Sequence, residues 1–418
     1  MDEQDPINEV ATRAAKPRQR IGRLGGGTDV MRLADPRGDR RIGQPEPSTV
    51  AEKEHQLPAL AVLTSGGDAP GMNAAIRAVT KVAASLAVPV WGVEMGFDGL
   101  IDGGFRPLTR QSGRNGALTP TAEVEAMGSL GGTSLGSSRC PRFYTREGRA
   151  EASRQLEKYS ITGLLVIGGN GSLAGAHALA GEGETPVIGI PASIDNDIGL
   201  TREALGVDTA LNTIIEAGDR ITDTARSHHR AFIVEVMGRH SGYLAMASAV
   251  ASAADGVLLP EHRHNRDEVV EAVTECIVRS FDVARDKNRV LIIKAEGVPV
   301  PTHELVQEVT ERLGGTANVE IRGTVLGHLV RGGNPSFRDR LLAGRFGLVA
   351  VHAALSGRTD LMTGWNLTDR GEPTSDSWIR LFPLADVLKE TESLLDGTSA
   401  VTLDRLQRME AIQGVLAL

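Results

Sequence analysis

The chain has 418 residues, with 49 Gly, only 8 Phe, 3 Trp and 3 Tyr, 53 acidic and 45 basic side chains, and a net charge of −8. Its length and 41% apolar content suffice for a large α/β unit or for two domains. The acidic balance and the scarcity of aromatic rings exclude a nucleic-acid footprint. No apolar run approaches the ~18 residues of a membrane span. The opening MDEQDP lacks the basic and apolar regions of a signal peptide. Cys140 and Cys276 form no CxxC, so they read as two reduced thiols of a cytoplasmic protein.

Residues 1–57 are rich in Arg, Gly, Pro and Asp without a sustained apolar period. They read as a disordered extension, a solvated tail or an Arg-rich contact for a partner or neighbouring subunit. Order is expected from Pro58. ALAVLTSGG reads as a buried strand ending in a glycine turn, and MNAAIRAVTKVAASL has helical spacing. VPVWGVEMG is a second strand, EASRQLEKYS a helix, and LLVIGGNGS a strand entering a tight turn. PVIGIPASIDNDI is a short strand running into a polar loop. DTALNTIIEAGDRITDTARS is a strongly amphipathic helix. RAFIVEVMG and RVLIIKAEG are strands, with GYLAMASAVASAA and RDEVVEAVTECIVRSFDVARDK as helices around the short run GVLLPE. This alternation predicts an α/β fold with parallel sheets covered on both faces.

The polar clusters TSGGDAPG, GGNGS, PASIDND, MGRHSG and KAEG all fall where strands end. Ligands of such sheets sit beyond the carboxyl ends of the strands. The glycine turns let backbone N–H groups approach an anion. In SIDND, Asp195 and Asp197 would share one side of an extended backbone, one as a proton acceptor and one near a cation. The alternative is an Asx-rich turn. Arg322, His328 and Arg331 in EIRGTVLGHLVRGG make a plausible cationic phosphate pocket. A carboxylate pair, two glycine turns and several cations together suggest phosphoryl transfer to a hydroxyl of a phosphorylated acceptor. No GxxxxGK[ST] and no protein-kinase signature is present.

LTSGGDAPGMNAAIRA, GGTSLGSSR, VIGGNGS, IDNDI, VEVMGRHSGY and GTVLGHLVRGG together resemble the bacterial-type 6-phosphofructokinases, in the family's order, over about residues 57–347 and more weakly to about 385. The resemblance implies two three-layer α/β/α lobes with mostly parallel sheets. Residues 58–206 with 330–385 would form the larger, nucleotide-binding lobe and 207–329 the smaller, sugar-phosphate-binding lobe, with 386–418 as a helical tail. It implies ATP-dependent phosphorylation of fructose 6-phosphate or a similar sugar phosphate, with Mg²⁺, by a cytoplasmic homo-oligomer, a tetramer or a dimer. Pyrophosphate-dependent turnover, or a catalytically weakened regulatory paralogue, is the alternative.

By the same resemblance, Asp195 is the general base, counted with Ser193 and Arg239 as catalytic. Asp197 lies near magnesium, with Asn170 as a weaker ligand. Gly66, Phe97, Arg139, Asn170, Gly171, Ser172 and Gly175 match the nucleotide wall. Ser193, Asp195, Asp197, Met237, Gly238, Arg239 and Glu296 match the sugar-phosphate contacts, with Arg230, Arg322, His328 and Arg331 around the 6-phosphate. Arg230 and Arg322 would reach across from a neighbouring subunit, so a lone chain would have an incomplete pocket. Arg77, Lys81 and Lys287 match the cations of an allosteric nucleotide site, where Thr222 replaces another cation.

Four departures stand out. Asn170 replaces the family's magnesium-binding Asp, Tyr144 an Arg that meets the donor phosphates, Phe97 a Tyr, and Val330 a Gln. Pyrophosphate-dependent relatives carry Asp and Lys where this chain has Gly171 and Ala192. Those small residues leave room for a nucleotide, and ATP is the expected donor.

Overall fold

The computed structural model describes residues 58–112, 116–282, 287–314, 319–365, 370–410 and 416–417. The extension expected to be disordered, residues 1–57, lies outside the described residues.

The first part of the chain alternates β1 (Ala59–Ser65), α1 (Met72–Ser85), β2 (Val90–Val93), α2 (Gly96–Asp102) and β3 (Phe105–Pro107). A hairpin of β4 (Thr109–Ser112) and β5 (Ala117–Pro120) follows, then α3 (Ala122–Met127), α4 (Arg146–Lys158), β6 (Ile161–Gly168), α5 (Asn170–Glu182) and β7 (Val187–Pro191). The middle holds α6 (Val207–His228), β8 (Arg230–Val236), α7 (Tyr243–Ala251), β9 (Gly256–Leu258), α8 (Arg266–Ser280), β10 (Val290–Ala295), α9 (Thr302–Leu313) and β11 (Glu320–Val325). The chain ends in α10 (Phe337–Leu355), β12 (Leu361–Trp365), β13 (Glu372–Pro373), β14 (Ile379–Pro383), α11 (Leu384–Leu395), α12 (Ala400–Glu410) and β15 (Leu416–Ala417).

Two main sheets result. The larger runs β13-β14-β12-β7-β6-β1-β2-β3 and is parallel in its centre, with antiparallel edges at β3 and at β14 and β13. The smaller runs β11-β8-β10-β9-β15 and is parallel throughout. The segment expected as a helical tail therefore also carries a short strand, β15.

Both faces of the larger sheet are covered, as alternation along its strands requires. Leu60 and Val62 of β1 enter one core, and Ala61 and Leu63 enter the other. Leu165 and Ile167 of β6 divide from Leu164 and Val166 in the same way. In the smaller sheet Ile233 faces a core of its own, whereas Phe232 and Val234 join the first core of the larger sheet. One apolar core thus continues from sheet to sheet, and the polar loops that follow β1, β6, β7 and β8 gather beside it.

Two expected helices differ most in their bounds. The one predicted over 266–287 ends at Ser280, and the one predicted from 151 begins at Arg146. The earlier start of α4 comes from Thr145, whose hydroxyl accepts from the Gly148 N–H and caps the helix.

Candidate active site

A cleft of about 480 Å³ opens where β1, β6 and β7 end. Its donor-side wall is built by backbone. Gly66 adopts φ +86°, and an added Cβ there would meet Ser172 Oγ at 3.2 Å. At Gly168 a Cβ would come 2.5 Å from the Ser65 carbonyl, so β1 and β6 approach too closely for any other residue. Helix α5 then starts at Asn170 with no acidic residue in its first turn and no side-chain cap. Such an uncapped N-terminus presents its N–H groups and positive dipole end to an anion. A Cβ on Gly171 would meet nothing within 4 Å. Gly66, Phe97, Arg139, Asn170, Gly171, Ser172 and Gly175 all line the cleft. Phe97 is buried and stacks on Phe143, with ring centroids 3.9 Å apart, and a Cβ on Gly175 would press against both rings.

The carboxylates follow β7. Of the two readings of this motif, an extended strand end or an Asx-rich turn, Ser193–Asp197 takes the turn, and Asn196 adopts φ +48°. Its buried side chain holds that conformation: the amide donates to the Arg202 carbonyl at 3.2 Å and accepts from the Ala204 N–H at 3.2 Å. After glycine, Asn is among the residues that best tolerate such a backbone. The turn still brings Asp195 and Asp197 to the cleft. Ser193 donates to Asp197 Oδ1 at 2.9 Å, and Asn170 Nδ2 donates to Asp197 Oδ2 at 2.7 Å. Two buried oxygens stay without partners, Asn170 Oδ1 and Asp195 Oδ1.

Burial pushes the Asp195 carboxyl up to about 6, helped by the Asp197 charge and opposed by Arg331. Glu296 and His240 also act on it electrostatically, so the loops after β10 and β8 lie close by. Those two loops are knitted together by backbone: Glu296 N–H donates to the Val236 carbonyl and Gly297 N–H to that of Gly238. Gly238, at φ +128°, leaves no room for a Cβ beside the Ser241 carbonyl. Met237 is buried here, and Arg239, 77% exposed, holds its Nε 4.0 Å from Glu296.

The cations expected to form one pocket divide within the chain. Arg331 lines the cleft and donates to the Asp68 carbonyl at 3.2 Å. His328 is exposed in a short 3₁₀ turn. Arg322, on the edge strand β11, and Arg230, at the start of the neighbouring β8, both pair with Glu320; Val325 at the far end of β11 and Leu329 beyond it are exposed. Spacing along β11 puts Arg322 on an edge strand, which a count of six and three residues does not reveal. Of the expected effector cations, Arg77 and Lys81 share Glu125 at 2.9 and 3.0 Å, whereas Lys287 pairs with buried Asp255. The three share no partner. Thr222 is buried in α6.

Arg149 also lines the cleft, and the sequence reading did not single it out. Arg149 grips Glu182 with two nitrogens, at 2.7 and 2.8 Å, and donates to the Phe143 and Tyr144 carbonyls. It anchors the loop carrying Tyr144, which is 81% exposed. The only available signal was an Arg near the start of a helix.

Among the described residues no group of three or more His, Cys, Asp or Glu side chains could cage a metal. Magnesium, however, binds through one or two carboxylates together with substrate phosphates. Asp197 and the unpartnered, buried carbonyl oxygen of Asn170 fit that mode.

Fold and site together define an α/β protein in which an uncapped helix start and a buried carboxylate share one cleft. The chain belongs to the phosphofructokinase family, whose profile, "Phosphofructokinase", matches residues 59–354. It is 45% identical over 303 residues to the ATP-dependent 6-phosphofructokinase of Thermotoga petrophila, across 72% of this chain and 88% of that one. It is 44% identical to the ATP-dependent 6-phosphofructokinase of Enterococcus faecalis, over 73% of this chain and 88% of the relative. The structure also resembles Pichia pastoris phosphofructokinase in the T-state, with a TM-score of 0.73, 30% identity and 85% of this chain covered. This chain spans 39% of that longer one.

Proposed function

We propose that this chain is an ATP-dependent 6-phosphofructokinase, transferring the γ-phosphoryl group of ATP to the 1-hydroxyl of fructose 6-phosphate. The observation that carries this reading is the pairing of a buried, unpartnered Asp195 oxygen with the uncapped start of α5 across one cleft. Asp195 takes the hydroxyl proton as the sugar oxygen bonds to phosphorus and the bond to ADP breaks. Ser193 orients Asp197, and Arg239 with Arg331 faces the acceptor and the transferring group. Met237, Gly238 and Glu296 shape the sugar side. Gly66, Arg139, Gly171, Ser172 and Gly175 form the donor side, and Phe97 lies where the base packs.

Magnesium held by Asp197 and the Asn170 carbonyl would supply charge neutralisation on the donor phosphates. The open space at Gly171 favours a nucleotide over pyrophosphate. His328 joins Arg331 on the 6-phosphate side, and Arg230 and Arg322 complete the phosphate pocket of a neighbouring copy in a homo-oligomer, a tetramer or a dimer. Arg322 and Val325 are both exposed on the edge strand β11, which supports that interface. Arg77, Lys81 and Lys287 are assigned to an effector site. A cytoplasmic setting fits Cys140 and Cys276, both buried and unpaired. Among the described residues no helix is long and apolar enough to cross a membrane.

The test is a coupled assay with fructose 6-phosphate and Mg²⁺, comparing ATP with pyrophosphate, on the wild type and Asp195→Ser. ATP-supported turnover that Asp195→Ser abolishes supports the reading. Binding of sugar phosphate without turnover from either donor points to a regulatory paralogue.

A further inference from the structure

A second cavity, of about 20 Å³, adjoins the cleft, and Asp197 stands in the walls of both. Its other walls include Gly242, Tyr243, Glu261 and Arg405. Arg405 comes from α12, at the far end of the sequence. Its Nη1 donates to the Asn196 carbonyl at 3.4 Å, and its guanidinium carbon lies 4.5 Å from the Tyr243 ring centroid. Glu261 accepts from the Gly242 N–H at 2.7 Å, and its second oxygen is buried without a partner. Burial disfavours the Arg405 charge, and Tyr243, Glu261 and Asp197 support it.

The Asn196 carbonyl belongs to the peptide that joins Asn196 to Asp197, directly after the base. A left-handed non-glycine residue, even an Asn, persists best where its surroundings over-determine it. The two side-chain bonds of Asn196 come from its own loop, at Arg202 and Ala204. Arg405 is a contact from outside that loop. Tyr243, on which it stacks, opens α7 directly after the Met237–Gly242 loop.

We infer that Arg405 is a positioning residue: through it, the C-terminal helix fixes the catalytic turn against the loop on the sugar side. A planar fork that both donates and stacks suits this role, and Lys cannot reproduce it. The inference rests on the assignment of Asp195 and Asp197 as the reacting carboxylates.

Three measurements on the full-length chain test it. In Arg405→Ala, kcat is expected to fall about 10–100-fold, the range that misplacing a reacting group by ~1 Å produces, with KM for fructose 6-phosphate within about threefold. Guanidinium chloride at tens of millimolar restores at least threefold of the loss, and Arg405→Lys lies between. Hydrogen exchange at residues 193–204 speeds up about tenfold or more as the turn opens locally. Unchanged exchange at 193–204, or a kcat within twofold of wild type, overturns the inference. If Arg405→Ala does not fold, Arg405→Lys decides: faster exchange with an unchanged Tm supports the inference, and wild-type exchange refutes it. Loss of turnover in Asp195→Ser beside a normal Arg405→Ala would refute the positioning role and leave the carboxylate assignment standing.

Discussion

Asn170 donates its amide to Asp197 across the cleft at 2.7 Å and leaves its own carbonyl oxygen buried and unpartnered. An Asp at position 170 would instead set two carboxylates against each other. The amide therefore stabilises the empty site and weakens its hold on a divalent ion. Asn170→Asp is expected to melt lower than wild type without metal and to gain more from added Mg²⁺. The Mg²⁺ concentration for half-maximal activity should fall about tenfold, roughly 1.4 kcal/mol of added attraction. Thermal melts and activity titrated with Mg²⁺ check both. Equal melting and an unchanged midpoint would show that position 170 does not meet the metal.

Asp195 supplies a pH prediction. A base held up to about 6 by burial must lose its proton before it can act. The rate should therefore rise with pH and level off above an apparent pKa near 6. Stability runs the other way. The folded chain holds this proton more tightly than the unfolded chain, whose carboxyl titrates near 3.9. The stabilising effect of the proton is present below about pH 4 and lost as pH rises through 6. Asp195→Asn should be stabilised by about 1–3 kcal/mol at pH 7–8 and match wild type at pH 3.5, while turnover falls ~10²–10⁴-fold. Denaturant melts at the two pH values, with a pH–rate profile, check the pair of signs.

At Gly171 a side chain would extend into open space, so Gly171→Asp should fold normally. Its carboxylate would stand at the start of α5 and repel the donor phosphates. The KM for ATP is expected to rise at least about tenfold, with the KM for fructose 6-phosphate within about twofold. Steady-state kinetics with each substrate varied separates the two. An unchanged ATP dependence would remove position 171 from the donor site.

The strand-end clusters were legible because a glycine turn between a buried strand and a helix leaves a local mark, as at Gly66 and at Gly168–Gly171. The amphipathic α6 was legible for the same local reason. Helices α9 and α10 and the antiparallel edge strands were not drawn, although the mostly parallel α/β architecture was. The Asx-rich turn at Ser193–Asp197 was one of two readings open to the sequence; the left-handed Asn196 was not legible, because it depends on bonds to residues six and eight positions away. Arg149 left no signal beyond its place near a helix start, and Arg405 left none. Their roles come from Glu182, 33 residues distant, and from Asn196, 209 residues distant. The cationic pocket looked continuous in sequence, but Arg322 faces outward on an edge strand.

That edge gives a prediction about assembly. If Arg230 and Arg322 serve a neighbouring copy, Arg322→Ala should weaken sugar-phosphate binding about 10–100-fold, the effect of removing a charged contact to a phosphate. Mixing subunits of Arg322→Ala with Asp195→Ser should then create some sites with both groups intact. Activity is expected to appear in the mixed oligomers above that of either variant alone. No gain after verified subunit exchange would place both residues in the same chain's site or outside it.

The central claim, that this cleft moves a phosphoryl group from ATP to fructose 6-phosphate, is tested most directly by product analysis. Purified wild-type chain is incubated with fructose 6-phosphate, Mg²⁺ and either ATP or pyrophosphate, beside Asp195→Ser. The expected result is fructose 1,6-bisphosphate and ADP in equal amounts from ATP, with none from Asp195→Ser. Product from pyrophosphate alone, or undiminished product from Asp195→Ser, would contradict it.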